Sequence, residues 1–189
     1  MAVGEQKPHP FALASFVAPV VCVIMIGACG RVSYDELPGD QYVYTEAETG
    51  TLVAPMQVNQ DPTLSGGAYI IDEWNSAGAR TEGAARYTVV IPRDGDFVLW
   101  GYVNAPTPAQ DSFFVSVNGG APRVYHTAED GLWDPAWQWT KMRDVVDQTL
   151  GMASVFSLNA GENEVEILSR ESLSTLDRFL FTTDVAFVP

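Results

Sequence analysis

A two-residue alternation of apolar and polar side chains, interrupted by turns, runs along this chain from Tyr42 almost to its end. Ala85, Tyr87, Val89 and Ile91 alternate with Arg86, Thr88 and Val90, the period of a half-buried strand. Pro92-Arg93-Asp94-Gly95 then supplies a turn. In the next segment Phe97, Leu99 and Val103 share one face, and Val98, Trp100 and Tyr102 the other. Both faces are apolar, which predicts a central strand covered on both sides. Phe113, Val115 and Val117 alternate and end at Asn118-Gly119-Gly120, a hairpin signal. Further strands are expected at Tyr42–Thr45, Leu52–Val58, Ala68–Asp72, Trp137–Arg143, Ala153–Leu158 and Leu176–Thr182, and around Val165 and Ile167. Val185–Val188 is read as an extension of the sheet, and Asp144–Gly151 as one short turn of helix. No stretch carries a helical period over twelve residues or more. About ten short strands between Gly, Pro and Asn turns imply an all-β fold, an antiparallel β-sandwich.

The first 28 residues stand apart from this pattern. Phe11–Ala28 carries no charge, and Lys7 precedes it. That is the layout of a secretory leader. Its exit, Ile26-Gly27-Ala28-Cys29, resembles the bacterial lipobox, in which a branched residue and two small ones precede an invariant Cys. By that resemblance residues 1–28 are a signal peptide, and Cys29 takes a diacylglycerol that anchors the protein to the bacterial membrane at the cell surface. A plain secretory signal and an uncleaved single-helix anchor are the alternatives. All three place the domain outside the cytoplasm. Residues 29–41, with Pro38, Gly39 and several acids, suit a solvated tether, which leaves residues 42–189 as the folded domain.

Composition narrows the partners. Ten Lys and Arg against 24 Asp and Glu give a net charge of −14. Nucleic-acid binding rests on Lys and Arg, so this balance excludes a nucleic-acid partner. Hydrophobic residues make up 47% of the chain, too many for a disordered acidic tail. Most acids fall on turns or polar strand faces and read as a solvating surface. The charge still disfavours polyanions, so a neutral ligand is expected.

Seven segments, in order, carry a resemblance to a known family. They are Glu46-Ala47-Glu48, Ser65-Gly66-Gly67-Ala68-Tyr69, Ala85–Pro92 leading into Gly95–Trp100, Asp111–Val117, Trp137-Gln138-Trp139, Leu158–Asn163 and Leu176–Phe181. Together they resemble the family 6 and family 35 carbohydrate-binding modules, β-jelly rolls with a galactose-binding-like fold. The resemblance implies non-catalytic binding of a polysaccharide or oligosaccharide, with aromatic faces stacked on sugar rings. It places Trp137 at the stacking position, Tyr69 or Trp74 opposite it, and Asp177 where the family often reads hydroxyls with an Asn. Trp133, beside Asp134-Pro135, lies in a loop, where an exposed aromatic signals recognition.

Glu46 and Glu48 are two residues apart, on one face of a strand, and paired carboxylates favour a bridging hard cation. The resemblance implies a structural Ca²⁺ there. The family's further carboxylate, three residues after the Asp177 position, is Leu180 in this chain. A solvated acidic pair is the other reading.

No enzymatic motif is present. His126 is the only histidine outside the leader, and there is no Gly-x-Ser-x-Gly elbow, His pair or Cys cluster in the domain. The expected function is glycan capture by a lipid-anchored module. The alternative is a structural or adhesive surface lipoprotein, or an assembly subunit, that uses the sandwich to bind another protein.

Overall fold

The computed structural model describes residues 39–73, 83–128, 132–146 and 149–189. The leader, Cys29 and Trp74 lie outside the described residues. Among the described residues fourteen strands form two main sheets packed face to face, with a separate hairpin. In chain order the strands are β1 (Tyr42–Glu46), β2 (Thr51–Val53), β3 (Met56–Gln60), β4 (Ala68–Asp72), β5 (Ala84–Ile91), β6 (Gly95–Ala105) and β7 (Ser112–Val117). They continue with β8 (Arg123–His126), β9 (Asp134–Lys141), β10 (Arg143–Val146), β11 (Thr149–Ala153), β12 (Val155–Leu158), β13 (Gly161–Ser169) and β14 (Thr175–Thr182).

One sheet runs β12-β6-β14-β4-β3, with β1 also paired to β14 and β9 to β6. The other runs β2-β5-β13-β7-β8. Every pairing between described strands is antiparallel. Alternation along each strand sends Tyr87, Val89, Ile91, Phe97, Leu99, Phe113, Val115, Val165, Ile167, Phe179 and Phe181 into the space between the sheets. The opposite face of β6 contributes Val98 and Trp100 to a smaller cluster with Leu180, so β6 is covered on both sides there, while Tyr102 farther along that face is only half-buried.

Four local expectations give way. Leu52–Val58 is two strands in different sheets, because the chain reverses at Ala54-Pro55. Within Asp144–Gly151, where a short turn of helix is expected, the described residues belong to the paired strands β10 and β11. Val185–Val188 joins no strand. β1 ends at Glu46, and Glu48 sits in a 3-10 turn, Ala47–Thr49.

The sandwich has two distinct ends. At one, Gln41 is buried: its N–H donates to Thr183 Oγ1 at 2.9 Å and its Oε1 accepts from the Arg93 N–H at 2.9 Å. The fold therefore takes hold inside the span expected to be tether. The turns after β5 and β12 share this end, where Ala160 N–H donates to Asp94 Oδ1. β14 runs from the opposite end, at Thr175, back to Thr182 beside the entry point.

Candidate functional site

The outward face of the β6-containing sheet carries a run of aromatic rings. Register places Tyr102 of β6 directly opposite Trp139 of β9, and Arg178 of β14 on the other side of Tyr102. Trp137 lies two residues before Trp139 and therefore on the same face. Its ring stacks on Tyr102 with centroids 5.9 Å apart and planes 29° apart. It meets Tyr69 of β4 edge-on at 5.3 Å. Trp139 lies 5.3 Å from Tyr102 and 6.2 Å from Tyr44. Tyr69, Tyr102, Trp137 and Trp139 are all half-buried, so each keeps part of its surface in solvent. Polar groups border them: Asn59 Nδ2 reaches the Tyr69 hydroxyl at 3.5 Å, and Asn104 Nδ2 donates to the Pro135 carbonyl. Tyr69 and Trp137 lie toward the end of the sheet that is remote from Gln41, since Thr175 pairs with both Ile71 and Asn104 there.

Of the sequence-predicted residues, Trp137 and Tyr69 are thus brought together. Trp133 is not part of that contact. It stands in the loop before β9 with its ring 47% exposed and its indole N–H donating to Asp111 Oδ2 at 2.7 Å. Tyr102 and Arg178 were not singled out by sequence. Tyr102 shares the outward face with Trp100 by simple alternation, but only the pairing with β9 puts it under the tryptophans.

Asp177 does not join the aromatic face. It is fully buried, which removes it from the hydroxyls of a surface ligand and corrects its expected role. A register shift between Leu176 and Arg178 makes Asp177 the extra residue of a β-bulge and re-aims its side chain. It lies in the electrostatic reach of Glu46 and Glu48, and burial followed by those two charges pushes its carboxyl up to about 6. Burial, with Glu46, likewise raises Glu48. The third carboxylate of this end is therefore Asp177, while Leu180 packs with Val98 and Trp100.

The turn Ser65–Gly67 closes over the acids. Ser65 Oγ donates to Glu46 Oε1 at 2.6 Å. A Cβ on Gly66 would fall 1.9 Å from Glu48 Oε1, and its φ of +65° is itself the left-handed region, so only glycine fits. Glu46 Oε2, Glu48 Oε2 and both Asp177 carboxylate oxygens are buried without a hydrogen-bond partner. Three carboxylates sharing buried space with four unsatisfied oxygens are costly unless positive charge enters. Arg178 brings part of it, with Nε 3.7 Å from Asp177 Oδ2. Among the described residues no group of three or more His, Cys, Asp or Glu side chains is placed to hold a metal ion. The donor set suits a hard cation only with backbone carbonyls added.

A cleft of about 490 Å³ lies on the other sheet, lined by Ala84, Arg86, Phe114, Pro122 and Leu168 among others. It contains none of the predicted site residues.

No known sequence family matches the chain, and no curated protein does. Solved structures do. The family 35 carbohydrate-binding module from Clostridium thermocellum aligns with a TM-score of 0.52 at 19% identity, over 73% of this chain and 96% of that one. The GH26-CBM35 β-(1,4)-mannanase of Podospora anserina aligns with a TM-score of 0.55 at 16% identity, over 74% of this chain but 27% of the enzyme. The C-terminal CBM6 of LamC, from Zobellia galactanivorans, aligns with a TM-score of 0.50 at 14% identity, over 76% and 99% of the two chains. These likenesses, with the sheet order above, give the chain the β-jelly-roll fold of the family 35 and family 6 carbohydrate-binding modules.

Proposed function

We propose that this domain is a non-catalytic glycan-binding module whose sugar-stacking surface is the outward aromatic face. One observation carries the reading: Tyr69, Trp137, Tyr102 and Trp139 touch one another in sequence while each stays partly in solvent. Phe179 and Phe181 in the core are fully covered, whereas these four rings form one continuous surface that stays partly in solvent. Pyranose C–H faces are apolar and complement the negative face of an aromatic ring. Asn59, Asn104 and the Tyr69 hydroxyl offer hydrogen bonds at the rim. Trp133 extends the aromatic surface as an outlying contact near the same end.

The jelly-roll neighbours support the reading, because solved family 35 and family 6 carbohydrate-binding modules share this fold. Acylation of Cys29 would tether the module to the membrane.

Calcium belongs to the same proposal. Glu46, Glu48 and Asp177 would hold it, and a bound cation would supply positive charge to the four unpartnered oxygens.

Affinity electrophoresis and isothermal titration against a polysaccharide panel test the function. Retardation by at least one polysaccharide, lost on Trp137→Ala in a folded protein, is expected. Folded protein that binds none of the panel overturns the reading.

A further inference from the structure

Arg178 stands within the aromatic face and is held there from behind. It lies beside Tyr102 in the sheet, and Trp139 lies on the other side of that tyrosine. Its Cζ is 5.3 Å from the Trp139 ring and 5.6 Å from the Tyr102 ring, both within cation–π range. On its inner side Nη1 donates to Ser65 Oγ at 3.3 Å, and Nε is 3.7 Å from Asp177 Oδ2. Asp177 is fully buried and Nε is buried with it, yet 33% of the Arg178 side chain stays in solvent.

We propose that Arg178 is a ligand-contacting residue that sets the specificity of the aromatic face, its guanidinium donating hydrogen bonds to hydroxyls of a neutral sugar stacked on Trp139. The inference rests on the glycan reading above and deepens it.

Aromatic platforms alone discriminate poorly between sugars, because every pyranose has an apolar C–H face. Discrimination needs a fixed polar group that meets a hydroxyl, and a site built to bond a hydroxyl rejects an analogue that cannot offer it. Arg178 is such a group. Two rings, a serine and a buried carboxylate fix its plane, so little freedom is lost when a ligand binds. Ser65 takes Nη1 and Asp177 stands against Nε, so the N–H groups of Nη2 are the ones left for a ligand. Trp137 and Trp139 are two residues apart on one face of β9, about 7 Å along the strand. Successive sugars of an extended chain laid along β9 can therefore rest on the two indoles, with Arg178 at the flank of the second.

The oxygen that Arg178 meets is a hydroxyl and not a carboxylate. The guanidinium already faces the Asp177 carboxylate, and Ser65 links it to Glu46, donating to Glu46 Oε1 at 2.6 Å. Glu46 is also its partner across β1 and β14. These acids balance its charge from the inner side, so nothing there draws an acidic sugar toward a chain of net charge −14.

The test is affinity electrophoresis of the full chain, in mild detergent, against soluble neutral glucans, mannan, xylan and galactan, with polygalacturonate as the acidic member. The natural protein is expected to bind at least one neutral polysaccharide and to rank the others below it. Arg178→Gln is expected to weaken binding of the preferred polysaccharide about tenfold, the usual effect of losing a hydrogen bond from a charged donor, and to narrow the gap to the others. Arg178→Lys keeps the charge without the planar fork and is expected to fall between the two. Urea melts show that each variant is folded, and if Arg178→Gln does not fold, Arg178→Lys carries the comparison. Three results overturn the proposal: binding and ranking unchanged in both variants, a loss of the same size for preferred and weaker polysaccharides alike, or polygalacturonate as the preferred ligand. If Trp137→Ala abolishes binding while Arg178→Gln leaves it unchanged, this inference falls and the glycan reading stands. If the folded natural protein binds nothing, both fall.

Discussion

Trp137 on β9 meets Tyr69 on β4 edge-on at 5.3 Å, across the strands β6 and β14 that separate them in the sheet. A contact of this reach spans the width of the outward face and makes the two rings one surface. Trp137→Ala is expected to weaken glycan binding by about 1–2 kcal/mol, roughly 5- to 30-fold, and Tyr69→Ala by somewhat less. Neither residue is in the main core, so unfolding midpoints in urea should move little. Affinity electrophoresis beside urea melts checks both halves. Equal losses of stability and affinity would show that the rings are packing elements and not a binding surface.

The buried Asp177 sets a pH dependence. Its carboxyl is raised to about 6 in the folded protein, above its ordinary unfolded value, so between those two pH values the folded state holds more protons than the unfolded state. Stability from this group is therefore fully present below the ordinary carboxylate pKa and is lost as pH rises through about 6. Glu48, raised by burial and by Glu46, acts in the same direction. In EDTA the melting temperature should be higher at pH 5 than at pH 7.5. Calcium should cancel or reverse that order, and Asp177→Asn should flatten it in EDTA. Thermal melts at the two pH values, with and without CaCl₂, check all three.

Much of the fold is legible in the chain because alternation and turn chemistry are local. Phe97–Val103 announces a central strand, and Asn118-Gly119 ends β7 where its sequence says it should. What is not legible depends on register between distant strands. The bulge at Asp177 shifts the phase of β14 by one residue, so the position that the resemblance assigns to hydroxyl reading is buried away from the outward face. Glu46 and Glu48 do come to one place, but through a 3-10 turn and not through strand alternation. Arg178 carries no motif. Its importance comes only from lying opposite Glu46 on one side and Tyr102 on the other.

Gly101 illustrates a packing requirement between the sheets. A Cβ there would come 2.7 Å from the Tyr125 hydroxyl and 3.0 Å from Leu176 Cδ1. Tyr125 is buried, and its hydroxyl donates to the Thr140 carbonyl at 2.8 Å, which holds the ring in place. Gly101→Ala should destabilise by about 1–3 kcal/mol, the usual cost of overpacking. Tyr125→Phe alone should cost about 1 kcal/mol for the lost hydrogen bond. In combination the two should cost less than their sum, because removing the hydroxyl opens the space that the new methyl needs. A double-mutant cycle in urea measures the difference.

Asp111 holds the exposed loop tryptophan from below. Its Oδ2 accepts from Trp133 Nε1 at 2.7 Å, and its Oδ1 lies 3.7 Å from His126 Nδ1. Its own N–H donates to Glu171 Oε2 at 3.0 Å, which ties the loop before β7 to the loop before β14. Burial pushes the Asp111 carboxyl up, but the hydrogen bonds with His126 and Trp133 outweigh it and hold the carboxyl below the usual range. The stability it contributes is thus present above the ordinary carboxylate pKa and lost as pH falls below it. Asp144, lowered by Ser154 and Arg123 against its own burial, follows the same rule, so neither group disturbs the pH 5 to 7.5 comparison made for Asp177. Asp111→Ala should cost about 1–3 kcal/mol at neutral pH, because it removes a buried, charge-assisted acceptor. The same variant should lose less at pH 3, because acid shifts the natural carboxylate toward its neutral form and weakens the charge-assisted bonds. Urea melts at the two pH values, read by tryptophan emission, check the sign. A cost that is as large at pH 3 as at pH 7 would mean that the side chain acts through packing and not through its charge.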